Sequence, residues 1–232
     1  MAHAFGMRHQ TSLLMASSVS IPTFPVDAMM GTRTRLIPVL HVENVDHAEP
    51  LLEALVGSGV TTLEVTLRSE CAVDVIKRML AMNTGAIVGA GTITRPDQFE
   101  RVVDAGAMFG VSPALTPVLG TAALESALPF VPGVCTPTEA LLAREMGFHE
   151  LKFFPADLMG GIGWIKHMLP LYPDLRFCPT GGTGDGNLRD YLALPNVFAV
   201  GGAFLAPRDL IESADWSAIS ARSKVSASLL KA

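Results

Sequence analysis

The sequence has little charge and no concentration of positive charge. Charged residues make up 17% of its 232 residues, and 17 lysines and arginines stand against 22 acidic residues, for a net charge of -5. A chain without a basic field has little attraction for nucleic acid or for an anionic membrane surface. We therefore expect neither of these partners, and a small soluble ligand instead.

Cysteine is scarce, and long hydrophobic runs are absent. Cys71, Cys135 and Cys178 lie far apart without a CxxC pair, which argues against a disulfide framework and against a thiolate metal site. No apolar run approaches the roughly 18 residues of a membrane span, and no HExxH motif occurs. The sequence thus predicts a cytoplasmic protein without a metal site.

Three common catalytic or nucleotide-binding motifs are incomplete. The run Gly89-Ala90-Gly91 has Thr94 where a dinucleotide fingerprint needs its third glycine, and no GK[ST] phosphate loop is present. The run from Gly110 to Ala114 lacks the last glycine of a nucleophile elbow. These absences argue against nucleotide hydrolysis and against a serine triad.

Hydrophobic residues make up 49% of the chain, enough for a sizeable core. Residues 1–33 show little periodicity and are interpreted as a flexible N-terminal extension, which leaves 34–232 as one domain. Within it, short β-type runs alternate with helix-period stretches. We predict eight strands: Leu36–Val42, Thr61–Thr66, Ala86–Ala90, Met108–Ser112, Phe130–Val134, Glu150–Phe154, Arg176–Pro179 and Val197–Val200.

Eight βα units in about 200 residues are typical of a small (β/α)8 TIM barrel in the α/β class. A doubly wound open sheet is the second interpretation. The barrel is favoured because glycine, proline, threonine, arginine and lysine follow the strand ends, where barrels collect their functional groups.

Lys152 stands on a strand that is otherwise made of large apolar residues. Burial disfavours the charged ammonium form, so a lysine there can act as an amine nucleophile toward a carbonyl. The alternative is a lysine whose stem packs while its head reaches solvent.

Glu64 lies between Leu63 and Val65, and side chains alternate along a strand, so it faces the opposite side from both. On the lumen face of a barrel it would be a general acid or base. A buried ion pair with Arg68 or Lys152 is the other interpretation, and both can hold together. Arg68, at the end of the same strand, offers a planar fork for a carboxylate or phosphate.

Two glycine clusters follow the seventh and eighth predicted strands. They are Thr180-Gly181-Gly182 and Gly201-Gly202-Ala203. Barrels commonly bind phosphate at this point through backbone N–H groups. Either cluster alone can also be a simple turn.

At these residues the chain resembles the class I 2-keto-3-deoxy-6-phosphogluconate (KDPG) aldolases, a family that also includes 4-hydroxy-2-oxoglutarate aldolases. The resemblance extends from about Leu36 to Pro207 and rests on several ordered segments. They are Leu63-Glu64-Val65-Thr66-Leu67-Arg68, Val88-Gly89-Ala90-Gly91-Thr92, Val111-Ser112-Pro113, Val131-Pro132-Gly133, Leu151-Lys152-Phe153-Phe154-Pro155-Ala156, Phe177-Cys178-Pro179-Thr180-Gly181-Gly182 and Gly201-Gly202.

The resemblance implies roles for individual residues. Lys152 would form a Schiff base and Glu64 would move protons, without a metal or an organic cofactor. The other implied contacts to substrate come from Arg68 and Thr92 at the pyruvate carboxylate, Pro113 and Phe154 at the pocket wall, Thr180 near the hydroxyls, and Gly181, Gly182, Gly201, Gly202 and Ala203 at the distal phosphate. Family members often have serine at the position of Ala203.

The resemblance also implies a substrate and an assembly. It predicts cleavage of a phosphorylated keto-deoxy sugar acid, KDPG, to pyruvate and glyceraldehyde 3-phosphate in the Entner-Doudoroff pathway, by a homotrimer. Cleavage of 4-hydroxy-2-oxoglutarate is a possible second activity. Two alternatives stay open: an aldolase for the galactonate epimer, and a phosphosugar epimerase that uses Glu64 as a base without covalent chemistry.

Overall fold

Strands and helices alternate along residues 35–229, the part of the chain that the computed structural model describes. The predicted extension at 1–33 and its boundary with a domain lie outside the described residues. The strands are β1 (Leu36–Leu40), β2 (Thr62–Thr66), β3 (Ile87–Gly91), β4 (Gly110–Val111), β5 (Phe130–Val131), β6 (Gly133–Val134), β7 (Glu150–Phe153), β8 (Arg176–Pro179) and β9 (Val200–Gly202).

A helix follows every strand except β5, and two helices follow β9. They are α1 (Ala48–Val56), α2 (Ala72–Ala81), α3 (Asp97–Asp104), α4 (Pro117–Ser126), α5 (Pro137–Glu145), α6 (Gly161–Leu171), α7 (Leu188–Leu192), α8 (Arg208–Glu212) and α9 (Trp216–Ser228). Within residues 35–229, none of the helices combines the length and the apolar character needed to cross a membrane.

All strand pairs are parallel, which confirms the predicted α/β class. One sheet has the order β5-β4-β3-β2-β1-β9 and the other has the order β6-β7-β8. Two isolated parallel bridges, Phe177 with Val197 and Thr180 with Gly201, connect β8 to the segment that contains β9. The arrangement is a TIM-barrel-like α/β fold.

Most predicted strands differ from the structure at their ends, and the fourth shortens from Met108–Ser112 to Gly110–Val111. The fifth is divided into β5 and β6 at Pro132, because proline has no N–H for a strand ladder. The Pro132 carbonyl still accepts a hydrogen bond from the Lys152 backbone N–H, at 2.9 Å. The eighth strand lies at Val200–Gly202 rather than Val197–Val200, and Val197 forms only the isolated bridge.

The two faces of the strands pack differently. Leu63, Val65 and Val88 point to one side and join the large core between strands and helices. Ile37, Phe109 and Cys178 belong to a smaller, separate cluster of buried residues. Because side chains alternate along a strand, Glu64 points away from the large core, as predicted.

Local sequence fixes where several helices begin. The Thr136 hydroxyl accepts a hydrogen bond from the Glu139 N–H, and the Glu139 carboxylate accepts one from the Thr136 N–H. Pro137 occupies the first turn of α5, where its missing N–H costs nothing. This capping box makes the turn after β6 short and well defined.

Gly133 on β6 gives a direct test of this packing. A Cβ atom at this position would lie 2.2 Å from the carbonyl carbon of Pro113, a backbone atom that cannot rotate away. We expect Gly133→Ala to lower the free energy of unfolding by about 2–3 kcal/mol, the upper range for overpacking. Chemical denaturation of both proteins measures this difference.

Gly163→Ala is the matched control. Gly163 lies in α6, and an added Cβ there would meet nothing within 4 Å. Because alanine is the better helix former, this variant should be as stable as the parent or more stable. Equal losses in both variants would contradict the packing explanation.

Candidate active site

A cavity of about 500 Å³ opens at the carboxyl ends of the strands. Eleven of the twelve predicted site residues line it. They are Glu64, Arg68, Thr92, Pro113, Lys152, Phe154, Thr180, Gly181, Gly182, Gly202 and Ala203. Segments far apart in the sequence are therefore brought to one place, at the end of the fold where functional groups of such barrels collect.

Glu64 and Lys152 meet inside this cavity. The Lys152 Nζ atom lies 3.3 Å from Glu64 Oε1 and 3.5 Å from Oε2, and the two residues are 6% and 3% exposed. The Lys152 head therefore does not reach bulk solvent. Of the two predicted partners for Glu64, the structure has Lys152 rather than Arg68.

Gly91 provides the space for the Glu64 carboxylate. It pairs with Thr66 in the ladder between β2 and β3, and a Cβ on it would lie 2.1 Å from Glu64 Oε1. Any larger residue would displace the carboxylate from its contact with Lys152. Gly91 lies in one of the segments that carry the family resemblance, but the sequence alone assigned no role to it.

Arg68 and Thr92 lie near each other at the cavity. The Arg68 Nε–H donates to the Thr66 hydroxyl at 3.2 Å, and that hydroxyl donates to the Leu40 carbonyl at 2.8 Å. Thr92 has a φ of 59°, a left-handed conformation that is unfavourable for a β-branched residue. Strained residues of this kind concentrate at functional sites.

The glycine loop after β8 has a conformation that other residues rarely adopt. Gly181 and Gly182 have φ angles of 93° and 76°, and a Cβ on Gly182 would lie 2.2 Å from the Asp157 Cβ. The Asn187 side-chain amide donates to the Gly182 carbonyl at 2.9 Å. The loop is thus held with its backbone against the cavity.

Gly201 is the predicted site residue that does not line the cavity. It lies one layer behind, where a Cβ would come within 2.5 Å of Thr180 Oγ1, and its carbonyl accepts a hydrogen bond from the Thr183 hydroxyl at 2.7 Å. Four lining residues were not predicted, namely Val39, Thr66, Thr183 and Phe204. Thr66 was predictable, because it lies two residues after Glu64 on the same strand face.

Residues 35–229 contain no group of three or more histidine, cysteine, aspartate or glutamate side chains arranged to hold a metal ion. Cys178 pairs with Lys152 in the ladder between β7 and β8. Burial of the thiol raises its pKa to about 12, against an opposing effect of the nearby Lys152 charge.

Because its pKa is high, the reactivity of the Cys178 thiol tests whether this side chain is buried. Only the thiolate attacks alkylating reagents, and a pKa of about 12 leaves about one thiol in 10⁴ ionised at pH 8. We expect iodoacetamide at pH 8 to label the half-buried Cys71 in the native protein and to leave Cys178 unmodified. Peptide mass mapping measures both, and unfolded protein should label at every cysteine. Native labelling of Cys178 as fast as Cys71 would contradict its burial.

A family model described as "KDPG and KHG aldolase" matches residues 26–222. Two curated relatives are each 45% identical to this chain. The "KHG/KDPG aldolase" of Escherichia coli strain K12 aligns with 79% of this chain and 86% of its own length. The "2-dehydro-3-deoxy-phosphogluconate aldolase" of Dickeya dadantii aligns with 80% and 87%.

A similar solved structure is that of the KDPG aldolase from Legionella pneumophila, which holds pyruvate as a covalent carbinolamine intermediate. It has a TM-score of 0.83 and 37% sequence identity, and the match covers 88% of this chain and 98% of that one. The family model and the relatives cover most of the chain, and the segment that the family model matches contains every residue that lines the cavity. The chain belongs to the KDPG and KHG aldolase family.

Proposed function

We propose that this protein is a class I aldolase that cleaves 2-dehydro-3-deoxy-6-phosphogluconate to pyruvate and glyceraldehyde 3-phosphate. The observation that carries the proposal is the buried contact of 3.3 Å between Lys152 Nζ and Glu64 Oε1 in a cavity. An amine nucleophile next to a proton carrier is what Schiff-base chemistry needs. The carbinolamine of the Legionella pneumophila relative supports the same chemistry for this chain.

Bond formation begins at Lys152. Transfer of a proton from Nζ to the Glu64 carboxylate leaves a neutral amine, which adds to the C2 ketone of the substrate. Glu64 then returns protons as the carbinolamine loses water and becomes an iminium. Burial of both groups excludes bulk water from this exchange.

Bond cleavage uses the iminium as an electron sink. Glu64 takes the proton of the C4 hydroxyl while the C3–C4 bond breaks, which releases the aldehyde and leaves an enamine on Lys152. Protonation of the enamine carbon and hydrolysis of the resulting iminium release pyruvate. The distance between the two side chains allows one carboxylate to serve each proton transfer.

The remaining lining residues orient the substrate. Arg68, with its guanidinium held through Thr66, and Thr92 bind the pyruvate carboxylate. Pro113 and Phe154 line the pocket, and Thr180 lies near the hydroxyl groups of the bound substrate. Gly181, Gly182, Gly202 and Ala203 bind the distal phosphate through their backbone, supported from behind by Gly201.

The substrate assignment follows the relatives at 45% identity, whose names refer to KDPG or to both KHG and KDPG. Cleavage of 4-hydroxy-2-oxoglutarate is therefore a second activity of the same site. The resemblance of the segment Glu64-Val65-Thr66-Leu67-Arg68 to the KDPG aldolases favours the gluconate over the galactonate epimer. A non-covalent epimerase has no need of an amine buried beside Glu64.

The proposal includes a closed (β/α)8 barrel and a cytoplasmic homotrimer. Closure is supported by the direct continuation of β5 into β6 and by the two bridges from β8 toward β9. The trimer rests on the family resemblance. An exposed apolar groove between α4 and Pro96, the residue before α3, offers a contact surface for it, with Val118 68% exposed.

Trapping with borohydride tests the nucleophile. Reduction in the presence of pyruvate should attach one pyruvate to Lys152, as intact mass and peptide mapping will show. The variant Lys152→Ala should form no adduct, whereas Lys77→Ala, which removes an exposed lysine on α2, should form it normally. A folded parent protein without an adduct would exclude the Schiff-base mechanism.

Substitution of the proton carrier tests the second role. Glu64→Gln keeps the shape of the side chain but cannot move protons, so kcat for cleavage should fall about 10²- to 10⁴-fold. The adduct with pyruvate should still form, more slowly. A coupled assay for released pyruvate measures kcat, and an unchanged value would remove Glu64 from the mechanism.

Sedimentation equilibrium tests the assembly. The parent protein should sediment with three times the mass of one chain. Val118→Asp, which adds a charge to the apolar groove, should dissociate it because an unpaired buried charge destabilises an interface. A monomeric parent protein would contradict the trimer.

A further inference from the structure

Arg68 is an exposed arginine that borders three cavities. One is the active-site cavity, and the other two have volumes of about 370 Å³ and 360 Å³. A long side chain with this much room has many rotamers, and fixing one of them when a ligand binds costs free energy. A contact that already selects the rotamer facing the active-site cavity would lower this cost.

The Thr66 hydroxyl makes a contact of this kind. It accepts a hydrogen bond from the Arg68 Nε–H at 3.2 Å. Thr66 lines the active-site cavity and neither of the other two cavities that Arg68 borders. Of the ion pairs formed among residues 35–229, none includes Arg68, so no carboxylate holds its guanidinium in another direction.

The direction of the hydroxyl proton follows from its second partner. Thr66 donates to the Leu40 carbonyl at the end of β1, at 2.8 Å, because a carbonyl can only accept. The oxygen lone pairs are then left for the Arg68 Nε–H, a charged donor of the kind that forms the stronger hydrogen bonds. With Nε–H occupied, the two terminal nitrogens of the guanidinium remain for a planar carboxylate.

Thr66 is itself fixed by both neighbouring strands. It is 1% exposed and pairs with Gly91 in the ladder between β2 and β3. The next residue, Leu67, donates its N–H to the Gly91 carbonyl at 2.8 Å. The hydroxyl bond to β1 and the ladder with β3 together determine where the Thr66 oxygen lies.

Thr62 shows that burial alone does not produce such contacts. It lies four residues earlier on the same face of β2 and is also 1% exposed. Its hydroxyl has no hydrogen-bond partner within residues 35–229. The two bonds of the Thr66 hydroxyl are therefore a particular feature of this position, and Thr62 offers a matched control.

We propose that Thr66 is a positioning residue that holds the Arg68 guanidinium ready for the pyruvate carboxylate. The inference rests on the proposed function. Thr66 acts through Arg68 rather than by a contact of its own with the substrate. Because the guanidinium is already oriented, Arg68 loses less conformational freedom when the carboxylate binds, and the affinity for pyruvate is higher.

Borohydride trapping over a range of pyruvate concentrations measures this effect. Thr66→Val keeps the shape of the side chain but loses the hydroxyl, so the pyruvate concentration for half-maximal trapping should rise about tenfold. Thr66→Ala, which also lacks the hydroxyl, should show the same rise and takes the place of Thr66→Val if that variant does not fold.

Two further variants identify the hydroxyl as the cause. Thr66→Ser keeps the hydroxyl, and Thr62→Val removes a hydroxyl that has no partner within residues 35–229. Both should stay within about twofold of the parent protein. An equal rise in Thr66→Ser or in Thr62→Val would overturn the proposal.

A double-mutant cycle tests whether Thr66 acts through Arg68. Arg68→Met keeps much of the stem but has no N–H group, so the initial trapping rate at low pyruvate concentration should fall. Adding Thr66→Val to Arg68→Met should change this rate less than about twofold, because the group that Thr66 orients is gone. A further tenfold fall in the double variant would show that Thr66 acts independently and would contradict a positioning role.

The same trapping experiment separates this inference from the proposed function. If the parent protein forms no adduct on Lys152, the proposed function itself fails. If the parent forms the adduct and Thr66→Val traps pyruvate equally well, the positioning role is wrong and the aldolase mechanism stands. A loss of affinity that requires Arg68 supports the assignment of Thr66.

Discussion

The contact between Glu64 and Lys152 is the interaction on which the site depends. The two residues stand on β2 and β7, which belong to different sheets, so their meeting requires the strands to surround a common interior. A buried charge without its partner costs about 3–5 kcal/mol. Each residue therefore requires the other. The curvature of the fold brings them together, so the Schiff-base chemistry depends on that curvature.

The glycines, which have no side chain, determine the shape of the site as much as its larger residues do. Gly91 leaves space for the Glu64 carboxylate, and Gly201 leaves space for the Thr180 hydroxyl. On the other side, Gly182 lets the loop after β8 approach Asp157. Gly91 and Gly201 each lie next to a functional side chain, because only a backbone without a Cβ fits between neighbouring strands there.

Much of the fold was predictable because β-type runs and helix-period stretches alternate with clear periodicity. Most of the site was predictable for a related reason: its polar residues interrupt apolar strands. Val39 and Phe204 line the cavity as well, but hydrophobic residues near strand ends look the same whether they face a ligand or the core. The break at Pro132 and the shift of the last strand depend on ladder hydrogen bonds, which composition does not specify.

The choice between Arg68 and Lys152 as the partner of Glu64 also required the structure. Arg68 is close in sequence, on the same strand end, whereas Lys152 is 88 residues away. Proximity along the chain favours Arg68, but the curvature of the fold decides which side chains meet. The ion pair between Glu43 and Arg208 is of the same kind, since it joins segments that are 165 residues apart.

The residues that line the cavity range from Val39 to Phe204 along the sequence, and most strands contribute at least one of them, either within the strand or just after it. Local opening of any one strand would dismantle the ligand site along with it. Ligand binding and cooperative folding are consequently linked, and occupancy shifts the population of the protein toward its folded form. In a cell, the concentration of substrate then influences how much of the protein escapes degradation.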